Sequence, residues 1–298
     1  LPVFLIILRS YHNEKIWKRD LSLINKDWIH IPGRLPIPNW ETIVKSAIGI
    51  PTQGYIEQAI FYYPKQGGIE SLFKAILKKT LKIGTKFISK FPVEKIKRRP
   101  DGKWIINDKI EATKIISTIP LKNLVLALNA PEYIVKNAER LDYNRVVIVG
   151  LALAKRAPAM HWIYVPDKNI VFHRYAWISN YSPYNAPRGF STLIAEITVP
   201  PWESVHEKEI LEKTIKGFEK IGIIRNQERE ILFAKVWIHE YGYPVYTIGH
   251  NKARNEIFRW LNEECEGVYS VGRWGRHHYW NMDKIFIEVK KTISTINS

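Results

Sequence analysis

The sequence predicts a mixed α/β chain with a long antiparallel β section in its middle. Three observations lead there. Between residues 146 and 199, four segments rich in β-branched and aromatic residues follow one another with no helical periodicity between them. Amphipathic helical spacing appears on both sides of that block, as at Ile69, Leu72, Phe73 and Ile76. A Pro100-Asp101-Gly102 turn joins two short apolar runs, the pattern of a hairpin.

The elements follow in order. The opening run Leu1 to Leu8 reads as a buried strand, and residues 11–54, rich in Pro, Trp and polar residues, as short helices and ordered loops. Ala59 to Tyr63 reads as a strand, Gly67-Gly68 as a tight turn, and a helix starts near Ile69. Phe91 to Ile96 and Trp104 to Ile106 are the hairpin strands, and Lys114 to Ile119 is a third strand stopped by Pro120. The central strands are Val146 to Ala154, His161 to Val165, Ile170 to Ser179 and Thr192 to Val199. A helix then keeps Leu211, Ile215, Phe218 and Gly222 on one face. Ile231 to His239 is a strand, Asn251 to Glu264 a helix, Val268 to Val271 a short strand, and Asp283 to Ile293 a closing helix.

Composition bounds the chemistry. With 298 residues, 46% hydrophobic and 25% charged, the chain has ordinary globular make-up and length for one large domain or two ordinary ones. Its longest apolar run, eight residues, is too short to cross a bilayer, so no membrane span is expected. The net charge of +16 favours anionic ligands: phosphorylated small molecules, acidic membranes or nucleic acid. The basic residues are spread widely. Their densest cluster, Lys95, Lys97, Arg98 and Arg99, abuts the hairpin turn and reads as a solvated tip, so nucleic acid is not the expected partner. One cysteine, Cys265, excludes an internal disulfide and cysteine-rich metal sites and suits a reducing cytoplasm.

Residues 161–185 carry the strongest functional signal. Tyr164 and Arg174 stand at the two ends of a hairpin-like pair of strands. Arg offers a planar fork for phosphate oxygens, and Tyr an apolar ring with a polar tip. Together they suit an anionic, sugar-like or phosphate-bearing ligand. Tyr243, held extended before Pro244, either lines a pocket or packs in the core. Val268 to Phe286 reads as a strand, a Gly-Arg turn and a helix start. That layout aims backbone N–H groups at one place, with Arg273 as a phosphate ligand and Tyr279 as a stacking or hydroxyl group; a plain β–α turn with a surface Arg reads the same. Phe91 to Leu121 is either a surface hairpin or a dinucleotide edge, where Val93 would pair with an adenine and Thr118 would approach a phosphate. Asp283 sits as a dipole-favoured carboxylate near a helix start. His277-His278 lacks chelating partners at useful spacing, so no metal site is expected. There is no G-x-S-x-G elbow and no Gly-rich phosphate loop.

Several pieces stand in a fixed order: RLPIPN from Arg34, QAIFYYPKQGGIESLF from Gln58, FPVEKI from Phe91, ISTIP from Ile116, YVPDKNIVFHRYAWISNYSPYN from Tyr164, GYPVY from Gly242 and GRWGRHHY from Gly272. Collinear through nearly the whole chain, they resemble the flavin-dependent amine-oxidase superfamily, with the nearest likeness to its UDP-galactopyranose mutase branch.

That resemblance implies a two-domain FAD flavoprotein of which this sequence is a C-terminal portion: a substrate domain with a central antiparallel sheet and an incomplete dinucleotide-binding domain. Residues 1–80 and 121–240 would form the substrate domain, and 81–120 with 241–298 part of the FAD-binding domain. The resemblance gives Arg174 and Arg34 to a UDP diphosphate, with Tyr164, Tyr243 and Tyr279 adding hydroxyl contacts and Gln58 standing near the ligand. It gives Val93 to the FAD adenine, Thr118 to the cofactor edge, and Arg273 and Asp283 to positions along the FAD. It implies covalent catalysis by reduced flavin at the anomeric carbon of a nucleotide-sugar, with UDP leaving and returning. The family's opening G-x-G-x-x-G segment is absent from this sequence, so a separate polypeptide or a longer parent chain is expected to supply it. Two other activities remain open on the same residues: an FAD-dependent oxidoreductase of the amine-oxidase or protoporphyrinogen-oxidase kind, and a cofactor-free binding protein.

Overall fold

A computed structural model of the chain describes residues 11–30, 40–50 and 60–297. The sequence expectations at Leu1 to Leu8, Arg34 and Gln58 lie outside the described residues.

The central β block forms one five-stranded antiparallel sheet. Its strands are β5 (Asp142–Leu153), β6 (Trp162–Tyr164), β7 (Arg174–Trp177), β8 (Ser191–Val199) and β9 (Ile231–Val245), in the order β6-β7-β8-β5-β9. Period-two alternation gives the sheet two different faces. One face, with Val147, Val149, Leu151, Leu193, Ala195 and Ile197, is buried against helix α6 (Glu207–Lys220). There Phe218 of α6 meets Phe172 at a ring-centroid distance of 4.5 Å. The opposite face carries Arg174, Glu196 and a row of aromatic residues.

Strand β9 is longer than the periodicity suggests. The expected end was His239, but pairing with β5 continues to Val245. Asn144 faces Tyr243 and Val146 faces His239, four steps on β9 against two on β5, so β9 bulges outward there. Pro244 is tolerated because β9 is an edge strand.

A second core is built from β1 (Ile96–Arg98), β2 (Trp104–Ile106), β3 (Ile110–Ala112), β4 (Ile115–Ser117), α4 (Leu121–Ala127), α5 (Glu132–Glu139), α8 (His250–Glu264) and β10 (Val268–Ser270). Leu121, Leu124, Ile134, Ile257 and Leu261 lie fully buried at its centre. β1-β2-β3 is an antiparallel meander, whereas β4 and β10 pair in parallel, Ser117 opposite Ser270. Helices α4 and α5 were not expected. Each starts directly after a proline, Pro120 and Pro131, which is a normal helix entry rather than only a strand stop. Their apolar residues pack into this core, and Asn123 of α4 accepts a hydrogen bond from Tyr241 of β9.

The remaining helices are α1 (residues 11–17), α2 (Trp40–Ala47), α3 (Glu70–Lys82), the single turns α7 (Gln227–Glu230) and α9 (Gly272–Gly275), and α10 (Met282–Asn297). Residues 60–63 are not a strand, since no described segment pairs with them. Regular strand pairing in the first hairpin begins at Ile96 and not at Phe91, because the Asn107 side chain ties Pro92, Glu94 and Lys95 instead. The basic residues at that hairpin are paired: Lys95 and Lys97 with Asp108, Arg98 with Glu266, and Arg99 with Asp101 and Glu111.

A third apolar cluster joins the two cores. Trp17, Trp28, Val146, Tyr243, Val245, Tyr246 and Tyr279 pack together where α1, the end of β9 and the segment after α9 meet.

Candidate functional site

The row that carries Arg174 runs straight across the sheet. Cross-strand pairing sets Tyr164 of β6 beside Arg174 of β7, Arg174 beside Glu196 of β8, Glu196 beside Ile148 of β5, and Ile148 beside Trp237 of β9. The adjacent row reads Trp162, Ala176, Ile194, Gly150 and Lys235. Gly150 permits a close approach: a Cβ there would stand 2.6 Å from Cζ3 of Trp237, so the indole lies down upon the strand. Trp162 and Trp237 remain 38% and 40% exposed, leaving an aromatic-walled floor open beside the arginine.

Arg174 is held from two sides. Its Nη2 donates to Glu196 Oε1 at 2.7 Å and to the Tyr243 hydroxyl at 3.3 Å. The Tyr243 hydroxyl donates to Glu196 Oε2 at 2.5 Å. Nε and Nη1 of Arg174 make no hydrogen bond among the described residues, so donors on either side of the engaged Nη2 are free. Burial opposes the arginine's charge, but Tyr243 and Glu196 beside it raise its pKa well above the ordinary value. Burial pushes the Tyr243 phenol well up, helped by Tyr279. Neither group changes charge near neutrality.

Tyr279 joins the group through ring contacts. It meets Tyr243 edge-to-face at 5.0 Å between centroids, and the Arg273 guanidinium lies 5.0 Å from its ring centroid. Arg273 also donates from Nε to the Trp280 carbonyl at 2.9 Å. Four of the residues singled out in the sequence, Arg174, Tyr243, Tyr279 and Arg273, therefore form one continuous run of contacts, with Tyr164 across the strand from the first.

Helix α1 fixes the hairpin that presents Tyr164 and Arg174. The buried Lys15 ammonium donates to the carbonyls of Val165, Asp167 and Phe172 at 2.7, 2.8 and 2.7 Å. Burial, with Lys18 nearby, lowers the Lys15 pKa to about 8. His12, one turn earlier, stands edge-on to Tyr164 at 4.9 Å and is lowered to about 4 by burial, Lys15 and Arg174. His173, beside Arg174 in sequence, is buried and pushed far below the ordinary histidine range.

The expected cofactor residues lie elsewhere, at the edge of the second core. β4 and β10 run parallel and end together. Thr118 follows the first and Gly272-Arg273 the second. Gly272 has φ of +83°, with open space where a Cβ would sit. The edge beyond the carboxyl ends of parallel strands is where α/β folds take dinucleotides, and Thr118, Gly272 and Arg273 stand at it. The segment 272–275 is one turn only, too short to focus a helix dipole. Val93 is half-buried against the second core, and Asp283 is exposed in the first turn of α10.

Glu196, Lys15, His12, Trp162 and Trp237 were not singled out from the sequence. Glu196 carried a readable signal: it is the one acid within the apolar strand STLIAEITV, and a carboxylate on a half-buried strand needs a partner. The others depend on pairing between distant segments.

No family model matches the chain. Solved structures do resemble it. Reduced UDP-galactopyranose mutase matches with a TM-score of 0.72 and 21% identity, over 89% of this chain and 57% of that one. A protein described as a protoporphyrinogen oxidase, from Exiguobacterium sp. 255-15, matches with 0.55 and 20%, over 69% and 46%. A CLA-producing fatty acid isomerase from P. acnes matches with 0.55 and 15%, over 76% and 52%. The chain thus spans about half the length of these structures and shares their fold across that span. Among the described residues no helix is long and apolar enough to cross a membrane.

Proposed function

We propose that this chain, with its amine-oxidase-superfamily fold, is the substrate-binding and partial cofactor-binding portion of an FAD-dependent flavoenzyme acting on a nucleotide-sugar, in the manner of a UDP-galactopyranose mutase. The observation that carries this reading is the run Arg174, Tyr243, Tyr279 and Arg273, which joins the open sheet face to the edge of the β4–β10 pair.

Each residue then has a task. Arg174 offers its free Nε–H and Nη1–H as single, charge-assisted donors to the diphosphate. Arg34 and Gln58 complete the ligand contacts, and Tyr164 adds its hydroxyl from β6. Tyr243 steadies Arg174, while Tyr279 packs between Tyr243 and Arg273. Thr118, Arg273, Val93 and Asp283 lie along the FAD. When bound in its reduced form, FAD supplies the chemistry at the anomeric carbon. The remaining FAD contacts are assigned to a G-x-G-x-x-G segment on a separate polypeptide or a longer parent chain, and the compartment to the cytoplasm.

Isothermal titration with UDP tests the reading. Wild-type protein is expected to bind UDP. Arg174→Ala is expected to lose about 2–4 kcal/mol of that binding, the usual cost of removing one partner of a desolvated charge contact. Equal UDP affinity in the two proteins would count against it. The apolar floor of Ala176, Ile194, Trp162 and Trp237 favours a second reading, an FAD-dependent oxidoreductase with an apolar substrate. In that case UDP does not compete with substrate, and the substrate itself bleaches the flavin.

A further inference from the structure

We propose that Glu196 is an internal competitor for the Arg174 guanidinium, and that it biases the site toward diphosphate diesters over free nucleotide diphosphates. The proposal rests on the reading above for the identity of the ligand, but its geometry stands without it.

Strand register places Glu196 directly across from Arg174, on the face opposite α6. The side chains are 13% and 25% exposed, so water screens the pair only in part. Both carboxylate oxygens are engaged, one by Arg174 Nη2 and one by the Tyr243 hydroxyl. The guanidinium charge is therefore already balanced before any ligand arrives. A phosphate docking on the free Nε–H or Nη1–H sits within a few ångströms of a fixed negative charge that cannot swing away, because Tyr243 and Arg174 both hold it.

Every negative charge on the ligand then meets attraction from Arg174 and repulsion from Glu196. A diphosphate diester, as in a nucleotide-sugar, carries roughly one negative charge per phosphate. A free terminal phosphate carries about −1.5 to −2 at neutral pH, and that excess is what Glu196 penalises. At a few ångströms and intermediate dielectric, one such charge–charge contact changes affinity by about one to two orders of magnitude. Glu196 acts through Arg174 and is a positioning residue.

The test is titration calorimetry on the chain with inorganic diphosphate, UDP and the methyl ester of UDP, using wild type, Glu196→Gln, Arg174→Ala and the double variant. Glu196→Gln is expected to bind inorganic diphosphate and UDP about tenfold or more tighter, with a smaller gain for the methyl ester. The gain should vanish in the Arg174→Ala background, and neutral uridine should show no change. A purely structural carboxylate would not give that charge-graded pattern. Glu196→Gln with wild-type melting and unchanged or weaker diphosphate binding overturns the proposal. Should Glu196→Gln fail to fold, wild type alone decides: UDP binding ten times tighter than its methyl ester also overturns it. Absence of all uridine-nucleotide binding, with the inorganic diphosphate gain intact, removes the nucleotide-sugar reading and leaves the role of Glu196 standing.

Discussion

Glu196 faces Arg174 across the β7–β8 pair, its Oε1 2.7 Å from the guanidinium, and the Tyr243 hydroxyl closes the triangle on Oε2. Three residues more than twenty positions apart in the chain thus make one polar knot on an otherwise apolar and aromatic sheet face.

Removing one member should hurt more than removing two. Arg174→Ala leaves a half-buried carboxylate without its cation, and the expected loss is about 2 kcal/mol of folding stability, below the fully buried range because water reaches the pair. Arg174→Met combined with Glu196→Leu should recover most of that loss. Urea unfolding midpoints of the three proteins decide the matter.

Tyr243→Phe keeps the edge-to-face contact with Tyr279 but deletes the hydroxyl. Both Arg174 and Glu196 lose a hydrogen-bond partner, and the expected cost is about 1–2 kcal/mol. Measured ligand affinity should fall as well, because the guanidinium is no longer held from the β9 side.

Lys15→Met should loosen the hairpin that presents Tyr164 and Arg174. Three carbonyls lose their shared donor. Hydrogen exchange in residues 165–173 is expected to accelerate at least tenfold while exchange in α8, packed in the other core, stays unchanged. Uniform acceleration across the chain would instead indicate global destabilisation.

Acid should weaken the fold between pH 6.5 and 4. Burial lowers His12 and His250 to about 4 and His278 to about 3 in the folded protein. The unfolded chain takes up these protons first, near pH 6.5, so falling pH favours unfolding throughout that window. At about 1.4 kcal/mol per pKa unit, each histidine contributes at most a few kcal/mol. Stability measured against pH should show this slope, and His250→Gln should flatten it.

Gly150→Ala should lift Trp237 off the sheet, since the new methyl group would meet its ring at 2.6 Å. The ring is partly exposed and can swing, so the expected cost is only about 1 kcal/mol. A red shift in tryptophan emission, absent in Gly150→Ala combined with Trp237→Phe, is the signature.

Much of this architecture was legible in the residue pattern. The β-branched runs located β5 to β8 within a few residues, and helical spacing located α3, α6, α8 and α10. Tyr164 and Arg174 were recognisable as the ends of a hairpin, and the structure pairs them directly. The misses have physical causes. Pro120 read as a strand stop, yet it opens α4, just as Pro131 opens α5. The bulge in β9 leaves no local mark, because it is set by how Asn144 and Val146 pair with a strand nearly a hundred residues away. Lys15 shows only as a basic residue among many, and what makes it special, three carbonyls converging on it, belongs to the tertiary arrangement.

That bulge has a mechanical consequence. The looped-out residues of β9 send Glu240 to Arg145 and Tyr143, and Tyr241 to Asn123 of α4 and to the Trp274 ring beside Arg273. One fifteen-residue strand therefore carries the aromatic shelf at Trp237 and touches the Trp274 ring. The Trp237 shelf and the surroundings of Arg273 are thereby tied together through a single strand rather than through separate elements.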